Sequence, residues 1–238
     1  MRWSQATDPG RVRRSNEDYV CACAELGFFA VADGMGGHQA GEVASKLALE
    51  GLERFLRNYL RSGADYGEIL VAGVQEANSL VYQMAASCSG CQGMGTTLSG
   101  VLVRNCWLYL AHVGDSRIYL FREGKITQLT RDHSVVQEMV RNGGITAEQA
   151  KCHPYRHVLT RALGVEPRVE VDTARLRLHP RDRILLCTDG LSGLVDEQEL
   201  GRVVFGNPDL ERAVHLLVEL ALQRGGPDNI SVILVAVD

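Results

Sequence analysis

The sequence predicts an α+β sandwich, with helices covering the outer faces of packed antiparallel sheets. Three observations carry that expectation. Short apolar and alternating runs that read as strands outnumber helical ones, and they follow one another directly, as strands joined by turns do. Helical periodicity appears twice in pairs of stretches instead of alternating with single strands, which argues against a parallel β-α-β fold. No repeat, low-complexity tract or Pro/Ser-rich linker divides the 238 residues, so they read as one domain.

The elements follow in order. Residues 19–24 and 27–32 are β-branched and aromatic runs around a short polar turn, a hairpin that Asp33-Gly34 is expected to close. Residues 39–60 and 66–86 then repeat apolar side chains at helical spacing. GTTLSGVLVRN, CWLYLAHVGDS, SRIYLFREG and KITQLT are short alternating runs that read as an antiparallel meander. Between 131 and 164 the pattern weakens into a helical stretch, a Gly143-Gly144 break that serves as hinge or helix end, a short helix and a His- and Pro-bearing segment, together a mobile insertion. VEVDTARLRL and RDRILLCTDG are strands, 196–205 and 209–224 helices, and NISVILVAVD a final strong strand.

Composition narrows the class of function. With 45% hydrophobic and 23% charged residues the chain is an ordinary globular one. A net charge of −4 gives no bulk attraction to nucleic acid or anionic membrane. The N-terminus lacks the apolar core of a signal peptide, and no apolar stretch approaches the roughly 20 residues that cross a bilayer, so a cytoplasmic protein is expected. The Cys count of 7 is odd, and most of these residues lie in apolar segments as small buried hydrophobes. Cys88 and Cys91 form a C-x-x-C, but no second pair at zinc-site spacing accompanies them.

Asp33, Asp115, Asp189 and Asp228 share one grammar, in which an apolar strand delivers or receives the carboxylate beside a glycine or tight turn. Singly, each is explained as a turn former. As a set they describe rigid strands ending in hard oxygen donors, which select Mg²⁺ or Mn²⁺ over softer-ligand metals. The pair Glu17-Asp18 follows the Arg-rich GRVRRSNED, which reads equally as a charge-compensated entry loop or as an Arg reaching a phosphate beside metal-binding carboxylates.

The ordered series GRVRRSNED, VADGMGGH, GMGTT, AHVGDSR, DHS, RALG, LLCTDGL and GGPDNISVILV resembles the metal-dependent (type 2C, PPM) Ser/Thr protein phosphatases in their compact bacterial form, over nearly the whole chain. The resemblance implies a four-layer sandwich of two antiparallel sheets flanked by helix pairs. It implies that Asp33 bridges two Mn²⁺ or Mg²⁺ ions, that the Gly34 carbonyl binds one of them, and that Asp189 and Asp228 complete the first site. Glu17 and Asp18 serve the second site, directly or through water; Asp115 helps hold a third, weakly bound ion; Arg13 binds the substrate phosphate. The chemistry implied is attack by a cation-activated hydroxide without a phosphoenzyme. The leaving seryl oxygen needs a proton. Animal relatives carry a His directly after Asp-Gly, where this chain has Met35; His38, three residues on, is a candidate general acid by proximity, and a cation-bound water is the alternative.

Residues 137–163 correspond to the family's variable flap. His133, His153 and His157 sit on different elements without close ligand spacing and read as capping or hydrogen-bonding residues. The implied partners are phosphorylated Ser/Thr proteins and a cognate Ser/Thr kinase, with the phosphatase acting as a monomer. Two other functions compete. A two-metal phosphodiesterase would use similar ligands, but the chain lacks basic tracts. A catalytically silent phosphoprotein-binding scaffold would lack some of the acidic positions, all of which are filled here.

Overall fold

The computed structural model describes residues 1–36, 40–60 and 65–238. The expected four layers are present. One antiparallel sheet has five strands: β1 (Arg2–Asp8), β11 (Ile230–Ala236), β10 (Arg183–Cys187), β7 (Arg117–Arg122) and β8 (Lys125–Gln128), in that spatial order. The other runs β2 (Asp18–Cys23), β3 (Phe28–Met35), β5 (Leu98–Arg104), β6 (Trp107–Val113) and β9 (Asp172–Arg177), with the short β4 (Gly95–Thr96) paired to the end of β3. Helices α1 (Ala40–Tyr59) and α2 (Tyr66–Ser87) cover the second sheet; α6 (Glu197–Gly206) and α7 (Leu210–Gln223) cover the first.

Strand alternation sorts side chains between layers. In β3, Phe28, Ala30 and Ala32 join α1 and α2 in one core, whereas Phe29 and Val31 point to the facing sheet. In β11, Val232 and Leu234 meet α7, and Ile233 and Val235 enter the inter-sheet core. Both faces of these strands are dry, which is why FFAVA and ISVILVA are continuously apolar despite antiparallel pairing. The helices present narrower stripes, Ala44, Ala48, Leu52 and Leu56 on α1 and Leu210, Ala213, Val214, Leu217 and Ala221 on α7. Asp196 and Asp209 start α6 and α7 as N-caps, accepting from the amides of Glu199 and Glu211.

Several expectations are corrected. Asp33-Gly34 does not close the first hairpin; it lies inside β3, which continues to Met35 because Gly34 and Met35 pair with Thr96 and Gly95 of β4. The runs read as one meander split between the sheets, β5 and β6 in one and β7 and β8 in the other. The switch occurs at Gly114, whose φ of +108° and whose closeness to Thr97 leave no room for a side chain. β1 and the short helix α5 (Asp189–Ser192) were not foreseen.

Within the 131–164 segment, α3 (Val135–Arg141) and α4 (Ala147–Lys151) are short. Gly143 and Gly144 end α3: their amides donate to the carbonyls of Val140 and Met139, a helix terminus with Gly143 at φ +72°. Of the cysteines, Cys21, Cys23, Cys91 and Cys187 are buried, but Cys106 and Cys152 are exposed in turns. No helix among the described residues is long and apolar enough to cross a membrane.

Because Ile233 is wholly buried between the sheets, Ile233→Ala is expected to lower the unfolding free energy by about 2–5 kcal/mol in denaturant titrations. A loss below 1 kcal/mol would contradict tight packing of that layer.

Candidate metal centre

The acidic residues come from strands of both sheets and from the segments beside them. The β2–β3 register sets Asp18 directly opposite Asp33. In the facing sheet, Asp189 follows the end of β10 by two residues and Asp228 precedes β11 by two. Thr188 joins the sheets: its hydroxyl donates to Asp18 Oδ2 at 2.8 Å and accepts from the Ser231 amide at 3.0 Å. Asn229, itself buried, secures the entry loop. Its Nδ2 donates to the carbonyls of Pro9 and Ser15, both at 2.9 Å, and its Oδ1 accepts from the Glu17 amide at 2.8 Å.

Asp33 is held through its backbone. Its amide donates to Thr97 Oγ1 at 2.9 Å, and its carbonyl accepts from the Thr97 amide and from Thr96 Oγ1, each at 2.9 Å. Thr97 Oγ1 lies 2.7 Å from Ser116 Oγ, so the residue after Asp115 is tied to the same support. Gly34 is required by crowding: a Cβ there would strike the Gly41 carbonyl at the start of α1 and the Glu17 carbonyl. That crowding brings Glu17, Gly34 and α1 together, and Ser45 Oγ donates to the Glu17 carbonyl at 2.6 Å.

Electrostatically the cluster is under strain. Asp33 is held well above the usual carboxylate range, first by its removal from water and then by Asp18, Asp189, Asp115 and Asp228. Asp18 is pushed up to about 7 by burial, against the hydrogen bonds from Ser231 and Thr188, with Asp189 and Asp228 raising it further. Asp115 is pushed up to about 8 by burial and by Asp189 and Asp132. Glu17 is raised by burial, partly offset by Arg13. Asp18 Oδ1 and Asp189 Oδ1 are buried without a hydrogen-bond partner. A buried, unpaired carboxylate oxygen is costly unless a cation answers it.

All the acidic positions expected from sequence therefore share one field. They do not form a closed shell: among the described residues no three His, Cys, Asp or Glu side chains sit together as a ready-made ion site. The donors nonetheless fit a hard dication. They are oxygens, they are partly desolvated, and two of them lack any other partner. Arg13 reaches the same corner, donating from Nη2 to Asp228 Oδ2 at 2.8 Å, so a phosphate on Arg13 and a cation on Asp228 would each have to draw on this pair. His38 lies outside the described residues.

Of the remaining histidines, His157 brings Nδ1 to 3.8 Å from Asp189 Oδ2, His133 lies 3.2 Å from Asp172, and His153 accepts from the Tyr155 amide. His133 and His153 thus take the hydrogen-bonding roles expected of them, accepting from the amides of Gly114 and Tyr155, whereas His157 stands only at ion-pair distance from Asp189. Sequence reasoning missed Thr97, Ser116, Thr188 and Asn229 as supports. The signal was present in GMGTT and PDN, but a neutral hydroxyl or amide announces no chemistry until its partners are known.

A family model described as protein phosphatase 2C matches residues 11–221. The serine/threonine protein phosphatase PstP of Mycobacterium tuberculosis H37Rv is 42% identical over 240 residues, 100% of this chain but 45% of PstP, so the chain spans less than half of that relative. The serine/threonine phosphatase stp of Listeria monocytogenes serovar 1/2a is 39% identical over 237 residues, 98% of this chain and 94% of the relative. Among solved structures, the catalytic domain of PstP in complex with two manganese ions superposes with a TM-score of 0.90 at 39% identity, covering 100% of this chain and 98% of that one.

The raised Asp18 pKa has a sign that can be tested. A carboxyl with a folded pKa of about 7 binds more protons folded than unfolded, so its contribution to stability is full below the unfolded value of about 4 and is lost as pH rises through about 7. Metal-free Asp18→Asn is therefore expected to melt higher than the parent at about pH 8, the gap closing towards about pH 5. Added Mn²⁺ should reverse the order, because only the parent offers it the carboxylate. A pH-independent gap in thermal melts would refute the electrostatic origin.

Proposed function

The chain belongs to the protein phosphatase 2C family, and from that premise we propose that it hydrolyses phosphoserine and phosphothreonine in proteins at a binuclear Mn²⁺ or Mg²⁺ centre. Its substrates would be the products of a Ser/Thr kinase, which it opposes. The observation that carries this reading is the convergence of Asp18, Asp33, Asp115, Asp189 and Asp228 in one poorly hydrated field, with an arginine at its rim.

Two dications bound there would supply an activated water and neutralise charge on the phosphoryl oxygens. The roles of this chain's residues are those that family membership implies, with their supports in agreement. Asp33 would serve both ions, a role that its backbone anchoring by Thr96 and Thr97 and its closeness to Asp18, Asp189, Asp115 and Asp228 support. Asp189 and Asp228 with the Gly34 carbonyl would complete one site, Glu17 and Asp18 the other, and Asp115 a third, weaker one.

Arg13 would leave Asp228 for the phosphate, where a planar guanidinium can donate twice and orient the phosphoryl group. It is about half exposed, with 54% of its side chain accessible, so exchanging one anionic partner for another requires no burial of a bare charge. Proton delivery to the leaving oxygen would fall to His38 or to solvent ordered at the centre.

Hydrolysis of a chromogenic phosphate ester and of a phosphoserine peptide in Mn²⁺ buffer is the direct test. Asp189→Ala is expected to lose about 100-fold or more in kcat, at least matching the loss typical of partners one shell further out, and a chelator should abolish turnover. Full activity with chelator would sink the two-metal mechanism, and an inactive parent would favour a phosphoprotein-binding scaffold.

Arg13→Ala is expected to cost about 10- to 100-fold in kcat/KM for the phosphopeptide, the range of a charge-assisted hydrogen bond. Unchanged steady-state constants would remove Arg13 from the site.

A further inference from the structure

We propose that His133 is a positioning residue that clamps the Gly114–Asp115 turn at the metal centre and fastens the 135–160 segment to the same turn. This rests on the reading of Asp115 as an ion ligand, but its geometry stands apart from it. The Asp115 carboxylate lies in a turn pinned on both sides. On one side, Ser116 is held by Thr97 Oγ1 at 2.7 Å and, through its carbonyl, by Ser99 Oγ at 2.8 Å. On the other, His133 makes a two-point contact with Gly114: its backbone amide donates to the Gly114 carbonyl at 2.7 Å, and its Nδ1 accepts from the Gly114 amide at 3.1 Å.

That acceptance defines the ring. Nδ1 must be unprotonated, so a neutral His133 carries its proton on Nε2, which faces Asp172 Oδ2 at 3.2 Å; Arg161 Nη1 lies 3.3 Å from the same nitrogen and donates to Asp172 Oδ1 at 2.9 Å. The ring is buried and lies 4.7 Å, centroid to centroid, from that of His112. His112 is itself fixed by Ser99 Oγ at Nδ1 and the Arg131 carbonyl at Nε2. His133 is therefore held at both ring nitrogens, and its Nδ1 engages the Gly114 amide just before Asp115.

The same residue holds the return of the 135–160 segment. Its carbonyl accepts from the Thr160 amide at 2.8 Å, Ser134 bridges to Leu159, and the Val135 amide donates to Val158. The strip so anchored includes His157, which faces Asp189. One residue thus meets both, the turn before Asp115 through its ring and amide and the 135–160 segment through its carbonyl.

Isosteric substitutions separate this from a purely structural role. His133→Asn places an oxygen where Nδ1 accepts from Gly114 but abandons Asp172, whereas His133→Gln extends its amide towards Asp172 and abandons Gly114. Nitrogen-15 spectra of the parent should show the neutral Nε2–H tautomer at His133. His133→Gln is expected to speed hydrogen exchange at the Gly114 amide and to weaken Mn²⁺ binding measured by calorimetry by about 10-fold, while His133→Asn stays within about threefold of the parent on both readouts.

Equal losses in the two variants, an Nδ1–H tautomer, or parent-like exchange and Mn²⁺ affinity in His133→Gln would each overturn the proposal. These readouts do not require turnover. An inactive parent that still shows them would count against the phosphatase reading and not against the role of His133.

Discussion

Like charges gathered in a poorly hydrated place repel one another by a few kcal/mol per pair, and the corner where Asp18, Asp33, Asp115, Asp189 and Asp228 meet exists only because the backbone beneath it cannot yield. The rest of the architecture can be understood from that requirement. Two sheets packed face to face over a dry interior present their strand ends along a common rim, and a strand end anchored by a ladder and a core resists displacement better than a loop does. Acidic residues at such ends are held at a separation set by sheet packing instead of by their own mutual preference.

The supports are neutral, and they act on the main chain. Thr96 and Thr97 bond the backbone of Asp33, Asn229 bonds that of the entry loop, and His133 bonds that of Gly114. Backbone anchoring leaves carboxylate oxygens unspent, as the unpartnered Oδ1 atoms of Asp18 and Asp189 illustrate. Had the same side chains been paired with lysines, they would be stable but saturated. Thr188 and Ser231 do touch a carboxylate, and Thr188 does so from between the sheets, where its hydroxyl joins Asp18 to the Ser231 amide without adding charge. Arg13, a cation at the rim, is exposed enough to exchange partners.

Much of the fold was legible because period-2 and period-3.6 patterns are direct records of burial. α1, α2, α6 and α7 fall within a residue or two of their expected bounds, and β11 announced itself as an uninterrupted apolar run. The failures were failures of partner assignment. RWSQATD became β1 only by pairing with β11 along its whole length, although its own residues are mostly polar or exposed. The supposed meander divided because Gly114 turns the chain from one sheet into the other, and no local pattern says which sheet a strand will join.

The acidic residues were visible in the same way, as carboxylates at the ends of apolar runs, and the chemistry of hard oxygen donors follows from their type alone. The sequence by itself determined which groups were available, the order of the elements that carry them and the family to which their motifs belong. Tertiary structure decided that Asp18 stands opposite Asp33, that Thr188 joins the two sheets beneath them, that Arg13 rests on Asp228, and that a buried histidine steadies the turn before Asp115. The reason is physical: residue type and spacing encode local propensity and burial, whereas repulsion between carboxylates and the single acceptor on an imidazole ring acquire meaning only at distances that the packed sheets impose.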